Sequence, residues 1–324
     1  MTFEAPHLKH AMHLVCGEAL MDVFGGPVTP TGMALDARVG GSPFNVAIGL
    51  ARLRQPVAYF GGLSTDFLGE RLRSALSAEG VDLRAVHRSA APTTLSIVGL
   101  DAAGVPSYAF YGEGCADRQV PDAARAAVRA LLPRITALHV GSYAMMVQPV
   151  AATLRALVDE WRETAVVAYD PNLRLNVEPR LDVWRDGVDW MLARAHLVKI
   201  SAEDLALLHP GWTGERFAAH CLSLGVRLVV LTEGGAGARG WTPGVQARVE
   251  AVPVALVDTV GAGDTFQAAL LTALAEGGAL TSTAMTALDA SALHAMLDFA
   301  NRAAALTCSR RGADLPRRDA LSAP

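Results

Sequence analysis

Several features are scarce or missing in this chain of 324 residues, and each absence excludes a class of protein. The 28 Lys and Arg do not outnumber the 32 Asp and Glu, so a broad cationic surface for nucleic acid is not expected. No apolar run approaches the roughly 20 residues of a membrane-spanning helix. The four cysteines form no C-x-x-C pair, and no G-x-x-x-x-G-K-[ST] loop occurs. A disulfide framework, a zinc site and a P-loop are therefore not predicted.

The wide spacing of Cys16, Cys115, Cys221 and Cys308 indicates reduced thiols. The first twelve residues lack the apolar core of a signal peptide. Both observations predict a cytoplasmic protein. Hydrophobic residues make up 51% of the chain, which is ample for a large core in one domain or two smaller ones.

Lysine is the rarest of the common charged residues, since only Lys9 and Lys199 occur among 28 basic residues. Where a chain otherwise uses arginine, a lysine suggests a position that needs a compact ammonium group. We therefore consider Lys199 a candidate site residue, although a lysine retained by chance fits equally well.

One glycine-rich stretch, Asp258 to Phe266, joins an extended segment to a helix whose apolar residues recur at helical spacing as far as Leu274. Gly261 and Gly263 permit a tight turn and a close approach of the backbone to a ligand. The first amides of a helix lack internal partners and carry partial positive charge, so the loop suits an anion. Asp264 beside it can accept a proton from an attacking hydroxyl group. Simple capping of the helix is the alternative role for this residue.

Along the chain, strands and helices alternate from residue 121 onward, which predicts a parallel sheet covered on both faces. Two regions, about 18–39 and 93–115, contain short extended segments without helices between them. They predict a small sheet that projects from the main one, with a hairpin turn at residues 101–104. Residues 277–290 are expected to be a connection, and residues 314–324 a loose tail.

Polar residues near the first strand form one candidate binding site. Asp22 follows the predicted strand at residues 14–17, and ligands of open α/β sheets bind at such strand ends. Gly40 and Gly41 let the backbone approach a ligand, and a Ser-Pro pair opens the helix after them. Asn45 offers donors and an acceptor, which suit vicinal hydroxyl groups. A solvated loop acid at 22 and an ordinary first-turn residue at 45 remain the alternatives.

Two later strand ends carry charged residues. Arg174 can hold a phosphate through two hydrogen bonds, or it can form a surface ion pair with Asp170. Further on, Ser201 can cap a helix whose first turn contains Glu203 and Asp204. The sequence alone does not separate this capping role from a binding role.

Residues 235–240 match the dinucleotide-binding pattern G-x-G-x-x-G after a strand, and Asp258 follows eighteen residues later. This pattern raises a nicotinamide-dependent oxidoreductase as an alternative. However, residues 241–244 predict a turn and residues 245–252 a returning strand, whereas a dinucleotide loop needs a helix N-terminus. The alternative is therefore disfavoured.

Several stretches resemble the ribokinase-like (PfkB) sugar kinase family, and most of all its fructokinases. Residues 258–266 resemble the second signature of the family, and residues 40–47 resemble its first, G-G-x-x-x-N-x-A. Residues 170–174 resemble D-P-N-x-R of fructokinases. Residues 111–118 resemble Y-R-E-G-x-A-D-R, with Gly112 in place of the arginine. The resemblance spans residues 14–313 and implies a ribokinase-like three-layer α/β sandwich, with a mainly parallel sheet and a small β-sheet lid, as one domain over residues 1–324.

The resemblance implies ATP-dependent phosphorylation of a hexose, most of all fructose. A 2-keto-3-deoxygluconate kinase and a ribokinase are alternatives on the same fold, and a non-catalytic sugar-binding regulator is a third. The matching aspartate, Asp264, would be the catalytic base. The remaining implied sites are an anion hole at Gly261, Ala262 and Gly263, a sugar site at Asp22, Gly40, Gly41, Asn45, Tyr111 and Arg174, and a nucleotide site at Lys199, Ser201, Thr232, Gly234, Gly237, Gly263 and Asn301.

The resemblance also implies metal ions. Ser201 and Asp204 stand where the family has N-x-x-E, so Asp204, or Glu203 as an alternative, would order Mg²⁺ through water. A K⁺ ion is implied near Asp258 and the last helix. The lid is further expected to form a homodimer interface, with no nucleic acid or membrane partner.

Overall fold

The computed structural model describes residues 12–100, 106–131 and 135–321. Its strands are β1 (Met12–Cys16), β2 (Leu20–Thr29), β3 (Gly32–Gly40), β4 (Val57–Phe60), β5 (Gly62–Ser64), β6 (His87–Ser89), β7 (Leu95–Leu100), β8 (Pro106–Tyr111), β9 (Ile135–Gly141), β10 (Val166–Asp170), β11 (Leu197–Ser201), β12 (Leu228–Thr232), β13 (Ala238–Trp241) and β14 (Gln246–Val249).

The α-helices in this part of the chain are α1 (Ser42–Arg52), α2 (Phe67–Ala78), α3 (Arg125–Leu131), α4 (Val150–Trp161), α5 (Leu181–Leu192), α6 (Ala202–Leu208), α7 (Gly214–Ser223), α8 (Ala262–Glu276), α9 (Ser282–Thr286) and α10 (Ala290–Cys308). None of these described helices combines the length and the apolar character that crossing a membrane requires.

Eight of the described strands form one sheet in the order β14-β13-β12-β11-β10-β9-β1-β4. In this order, the six strands from β12 across to β4 run parallel to one another. At the other edge, β13 pairs antiparallel with β12 and β14 pairs antiparallel with β13. Strand β1 has β4 on one side and β9 on the other, so the strand order changes direction there. The carboxyl ends of parallel strands leave a crevice at such a point.

Helices cover both faces of this sheet, as predicted from the alternation. Leu14 and Cys16 of β1 belong to the core that contains α4, α5 and α7. Val15, between them, belongs to the core that contains α1, α8 and α10. This division follows from the two-residue repeat of a strand, which turns successive side chains to opposite faces. The predicted three-layer α/β sandwich is therefore confirmed.

A second sheet, in the order β3-β2-β7-β8, forms the lid. The two hairpins β2–β3 and β7–β8 are antiparallel, and β2 and β7 join them through a parallel pairing. The two regions predicted to form a small sheet thus pair with each other. The hairpin turn predicted at residues 101–104 lies outside the described residues. The apolar side chains of Val28, Met33 and Leu35, on one hairpin of the lid, are exposed.

Two close approaches position α1, one against the end of β1 and one against α8. A Cβ atom on Gly17, which has a φ of +146°, would lie only 2.4 Å from Cγ of Pro43. A Cβ atom on Gly49 would lie 2.7 Å from both Ala268 Cβ and Leu315 Cδ2. Glycine at these positions lets α1 pack directly on the strand end and on α8. Ser42 at the N-terminus of α1 hydrogen-bonds Asp264 in the first turn of α8, so the starts of these two helices lie together.

Two predictions for the C-terminal third are wrong. The expected connection at residues 277–290 contains α9, which Thr281 caps by accepting a hydrogen bond from the Ala284 amide at 3.1 Å. The expected loose tail is packed as far as residue 321, because Leu315 and Leu321 are buried and Arg52 donates to the Leu315 carbonyl oxygen at 2.6 Å. The polar composition of this segment predicted exposure, but these two leucines pack against helices that are distant in the sequence.

Candidate functional site

A cavity of about 530 Å³ lies between the lid and the carboxyl edge of the main sheet. Lid strands β2, β7 and β8 supply one side of it. The start of α1 and the loop before α8 supply the other side. The predicted site residues that line this cavity are Asp22, Gly41, Asn45, Arg174, Gly261, Gly263 and Asp264.

Asp264 lies in the first turn of α8 and is held from another helix. The Ser42 hydroxyl group donates to Asp264 Oδ1 at 2.6 Å, and the Asn45 amide donates to Oδ2 at 2.8 Å. Burial raises the pKa of Asp264, while those two hydrogen bonds and the charges of Lys199 and Arg174 act against this rise. A carboxylate fixed in the wall of a cavity in this way can accept a proton from a bound hydroxyl group. Its side chain faces α1, so the simple capping role does not describe it.

The loop before α8 is fixed by its own contacts. Gly261 adopts a left-handed conformation, and a Cβ atom there would lie 2.7 Å from Ala313 Cβ. The Asp258 carboxylate accepts hydrogen bonds from the Val260 amide at 3.0 Å and the Gly312 amide at 2.8 Å. The first amides of α8, which include that of Gly263, start the helix without partners inside it. Together with the helix dipole they favour an anion here.

Asp22 lies on β2 next to Gly40, where a Cβ atom would come within 2.2 Å of Asp22 Oδ2. Gly40 therefore makes room for this carboxylate. Burial raises the pKa of Asp22, against a hydrogen bond from Ser96 and the positive charge of Arg174. Of the described residues that line the cavity, Arg174 is the one with a positive charge. The sequence left open an ion pair between Arg174 and Asp170. In the structure Asp170 pairs with Lys199 instead.

Two aspects of the sugar-site prediction need correction. Tyr111 is 60% exposed and does not line the cavity, whereas Phe110 does, because successive strand residues point to opposite faces. Glu18 was not predicted, yet it is buried in the cavity wall directly after β1, and burial raises its pKa to about 7. The signal for Phe110 was the alternation of side chains along a strand, and the signal for Glu18 was its position after the first strand.

The residues predicted for the nucleotide lie outside this cavity, except Gly263. Lys199 Nζ donates to Asp170 Oδ2 at 2.7 Å, and both side chains are buried. The same ammonium nitrogen would be 3.1 Å from a Cβ atom on Gly263, so Lys199 lies against the start of α8. Ser201 accepts a hydrogen bond from the Asp204 amide at 3.0 Å and caps α6, which is the structural role left open by the sequence.

Four further predicted nucleotide residues have evident structural roles. Gly234 and Gly237 flank the short turn between β12 and β13 with positive φ angles, and Thr232 ends β12 just before it. A Cβ atom on Gly237 would lie 2.0 Å from a backbone oxygen of β14. The Asn301 amide donates to the Glu250 carbonyl oxygen at 2.7 Å. Contact of these residues with a nucleotide stays a prediction.

The two candidate carboxylates for Mg²⁺, Asp204 and Glu203, differ in burial. Asp204 is half-buried, and burial together with the neighbouring Asp170 raises its pKa to about 6. Glu203 is exposed. Oδ1 of Asp170 is buried and has no hydrogen-bond partner among the described residues. In the part of the chain that the structure describes, no group of three or more His, Cys, Asp or Glu could hold a metal. One or two carboxylates together with substrate phosphates are, however, the usual ligands of Mg²⁺.

The G-x-G-x-x-G match at residues 235–240 is not a dinucleotide loop. Its residues form a short turn and then enter β13, which pairs antiparallel with β12. The returning strand predicted after it is β14. Since no helix begins at this glycine motif, the amides that would bind a pyrophosphate are missing.

Known carbohydrate kinases are similar to this chain over nearly its whole length. A family model described as pfkB family carbohydrate kinase matches residues 12–320. A fructokinase of Rhizobium leguminosarum bv. trifolii is 36% identical over 311 residues, which cover 95% of this chain and 91% of that protein.

Two crystal structures are similar over nearly the whole chain. A fructokinase with bound ATP from Xylella fastidiosa superposes with a TM-score of 0.84 at 26% identity, covering 96% of both chains. A double mutant of the fructokinase from Vibrio cholerae O395, in a form bound to fructose, ADP and a potassium ion, superposes with a TM-score of 0.79 at 26% identity, covering 96% of this chain and 97% of that one.

Proposed function

The chain belongs to the pfkB family of carbohydrate kinases, and from this premise we propose that it transfers the γ-phosphoryl group of ATP to a hydroxyl group of fructose. The observation that carries the proposal is the position of Asp264. Its carboxylate lies in the cavity wall and, at the same time, in the first turn of α8. A proton acceptor and an anion site are therefore adjacent, as phosphoryl transfer to a hydroxyl group requires.

In this mechanism the sugar hydroxyl group faces Asp264. Its oxygen forms a bond to the γ-phosphorus while the bond from that phosphorus to the β–γ bridging oxygen breaks, and ADP leaves. The proton passes from the hydroxyl group to the Asp264 carboxylate. The amides of Gly261 and Gly263 stabilise the charge on the transferred group, while the predicted third amide, that of Ala262, already donates to the Thr259 carbonyl oxygen at 3.2 Å. The lid excludes water that would otherwise hydrolyse ATP.

The residues on the nucleotide side fit a nucleotide with Mg²⁺. A bound Mg²⁺ would neutralise phosphate charge and hold the phosphates in line. The unpartnered Oδ1 of Asp170 and the carboxylate of Asp204 are the groups that would face it, directly or through water. Lys199 would add positive charge at the start of α8. We assign Thr232, Gly234, Gly237 and Asn301 to the border of the nucleotide site.

A K⁺ ion is a further part of the proposal. The candidate ligands are backbone oxygens around Asp258, whose carboxylate is held in place by the Val260 and Gly312 amides. The potassium-bound Vibrio cholerae relative supports this assignment. Turnover should be higher in K⁺ buffer than in Na⁺ buffer, and equal rates in the two would remove the K⁺ site from the proposal.

The charges of the cavity favour a neutral sugar over a sugar acid. Among the described residues that line it, Glu18, Asp22 and Asp264 contribute three carboxyl groups, against the single guanidinium group of Arg174. A 2-keto-3-deoxygluconate molecule would bring a further negative charge into this setting. The fructokinase relative supports fructose over ribose.

We also propose that residues 1–324 form one kinase domain that pairs with a second copy through the lid. The exposed Val28, Met33 and Leu35 support that interface. Light scattering should show a dimer for the wild type and a monomer for Met33→Glu, and a monomeric wild type would contradict the proposed dimer.

The four cysteines are free, which supports the cytoplasm as the compartment.

The experiment that tests the function is an ADP-release assay with Mg-ATP and a panel of fructose, tagatose, ribose, 2-keto-3-deoxygluconate and adenosine. Material from cells that do not express the protein, purified in the same way, controls for contaminating kinases. We expect clear preference for fructose. Preference for another sugar would retain the kinase and discard the substrate, and the absence of turnover by folded protein would favour a non-catalytic sugar-binding regulator.

A further inference from the structure

We propose that Ser42 is a positioning residue of the kinase reaction, which holds Asp264 in its ionised form and in one orientation before the sugar binds. The inference rests on the proposed function, in which Asp264 is the base. It concerns a residue that neither the family signatures nor the substrate proposal requires.

The geometry is direct. Ser42 Oγ donates to Asp264 Oδ1 at 2.6 Å, and Ser42 and Asp264 are 7% and 8% exposed. Both residues line the sugar cavity. A carboxylate oxygen has two acceptor sites, so an incoming hydroxyl group can bond to Oδ1 or Oδ2 while Ser42 keeps its own bond.

Ser42 is the firmer of the two donors to Asp264. Asn45, the other donor, is also the residue proposed to bind sugar hydroxyl groups, and its amide has to serve both partners. The position of Ser42 is fixed because it is the first residue of α1, next to Pro43, which contacts the end of β1. When the sugar engages Asn45, Ser42 is the donor that remains on Asp264.

The charges around Asp264 define what loss of the Ser42 hydroxyl group would do. Asp22 on β2 opposes ionisation of Asp264, while Lys199 on β11 and Arg174 after β10 favour it. Burial raises the pKa of Asp264, and the Ser42 hydrogen bond is the largest of the effects that lower it. Without that bond the carboxyl group stays protonated to a higher pH. A protonated Asp264 cannot accept a proton from the sugar, so activity at acidic pH is lost first.

The test is the pH profile of kcat/KM for Ser42→Ala, with Ser42→Thr as the matched variant that keeps a hydroxyl group. We expect the acidic limb of Ser42→Ala to move upward by about one pH unit, the scale of losing one hydrogen bond to a carboxylate. Turnover should recover on the alkaline side of the limb. Ser42→Thr should keep the wild-type limb.

A uniform loss of activity at every pH, with the limb unmoved, would show that Ser42 only supports the fold and would overturn the inference. If Ser42→Ala does not fold, Ser42→Cys replaces it, because a thiol is a weak donor. An unmoved limb in Ser42→Cys overturns the inference equally. A wild type without turnover on the sugar panel contradicts the proposed function instead, so the two failures are distinguishable.

Discussion

Lys199 Nζ donates a hydrogen bond to Asp170 Oδ2 at 2.7 Å, both side chains are buried, and Lys199 lies against the start of α8. They come from neighbouring parallel strands, β11 and β10. The lysine that was notable in the sequence for its rarity is therefore engaged by an aspartate in this structure. Within the described part of the chain, the second oxygen of Asp170 has no hydrogen-bond partner. The pair thus joins the proposed anion site to the proposed Mg²⁺ site.

The first prediction concerns the base. Asp264→Asn keeps the size of the side chain but removes the proton acceptor, so kcat should fall by about 100-fold or more. The affinity for ATP should change little, because the backbone amides of the loop are retained. Steady-state kinetics and calorimetric titration with ATP measure the two quantities. Near-normal turnover would contradict the role of Asp264.

The second prediction separates structure from chemistry at the buried ion pair. Lys199→Met leaves Asp170 buried without a counter-charge, which should lower the free energy of unfolding by about 3–5 kcal/mol. Adding Asp170→Asn removes the orphaned charge, so urea denaturation of the double variant should show most of this loss restored. Its turnover should stay low, since phosphate neutralisation is still missing. A double variant that regains turnover would assign the pair to stability alone.

The third prediction follows from the raised pKa of Asp204. The native carboxyl group holds its proton up to about pH 6, whereas an unfolded aspartate releases it near pH 4. The native state therefore binds more protons in this window, and the free energy of unfolding falls as the pH rises through it. Asp204→Asn should abolish this fall and be more stable than the wild type at pH 7, by about 1–3 kcal/mol without Mg²⁺.

Glu203→Gln is the matched control for Asp204→Asn, because the Glu203 side chain is exposed in the same helical turn. It should alter neither the stability profile nor the Mg²⁺ dependence of turnover. Asp204→Asn should raise the Mg²⁺ concentration needed for half-maximal activity. A larger Mg²⁺ effect in Glu203→Gln would exchange the two assignments.

The fourth prediction tests the close approach of two strand ends. A Cβ atom on Gly141 would lie 2.1 Å from the Asp170 carbonyl oxygen, and backbone cannot move aside easily. Gly141→Ala should therefore cost about 1–3 kcal/mol and lower turnover by displacing Asp170. Gly244→Ala, which has open space around it, should affect neither. Thermal unfolding and kinetics of the two variants give the comparison, and equal behaviour would contradict the packing described.

The fifth prediction concerns the C-terminal segment. Leu315 is 1% exposed, so Leu315→Ala should lower the free energy of unfolding by about 2–5 kcal/mol. Leu207→Ala, at an exposed leucine on α6, should cost far less. Urea denaturation distinguishes the two. If Leu315→Ala is as stable as Leu207→Ala, the segment is loose in solution, as its composition suggested.

Local patterns in the sequence were sufficient for the fold and for the outline of the site. Strand and helix periodicities are set by the backbone repeat, so they indicated a parallel sheet with helices on both faces. A glycine loop that runs into a helix indicates an anion site for equally local reasons. Local patterns made Asp22, Asn45, Arg174 and Asp264 candidates, and the family resemblance assigned their roles. The structure brings all four to one cavity.

Contacts between distant residues were decided only by the tertiary structure. Ser42 and Asn45 are 222 and 219 residues away from Asp264, and they meet it because α1 packs on α8. The choice of Phe110 over Tyr111 depends on which face of β8 the lid turns toward the cavity. Such pairings depend on how whole elements pack, and no local repeat in the chain records that packing.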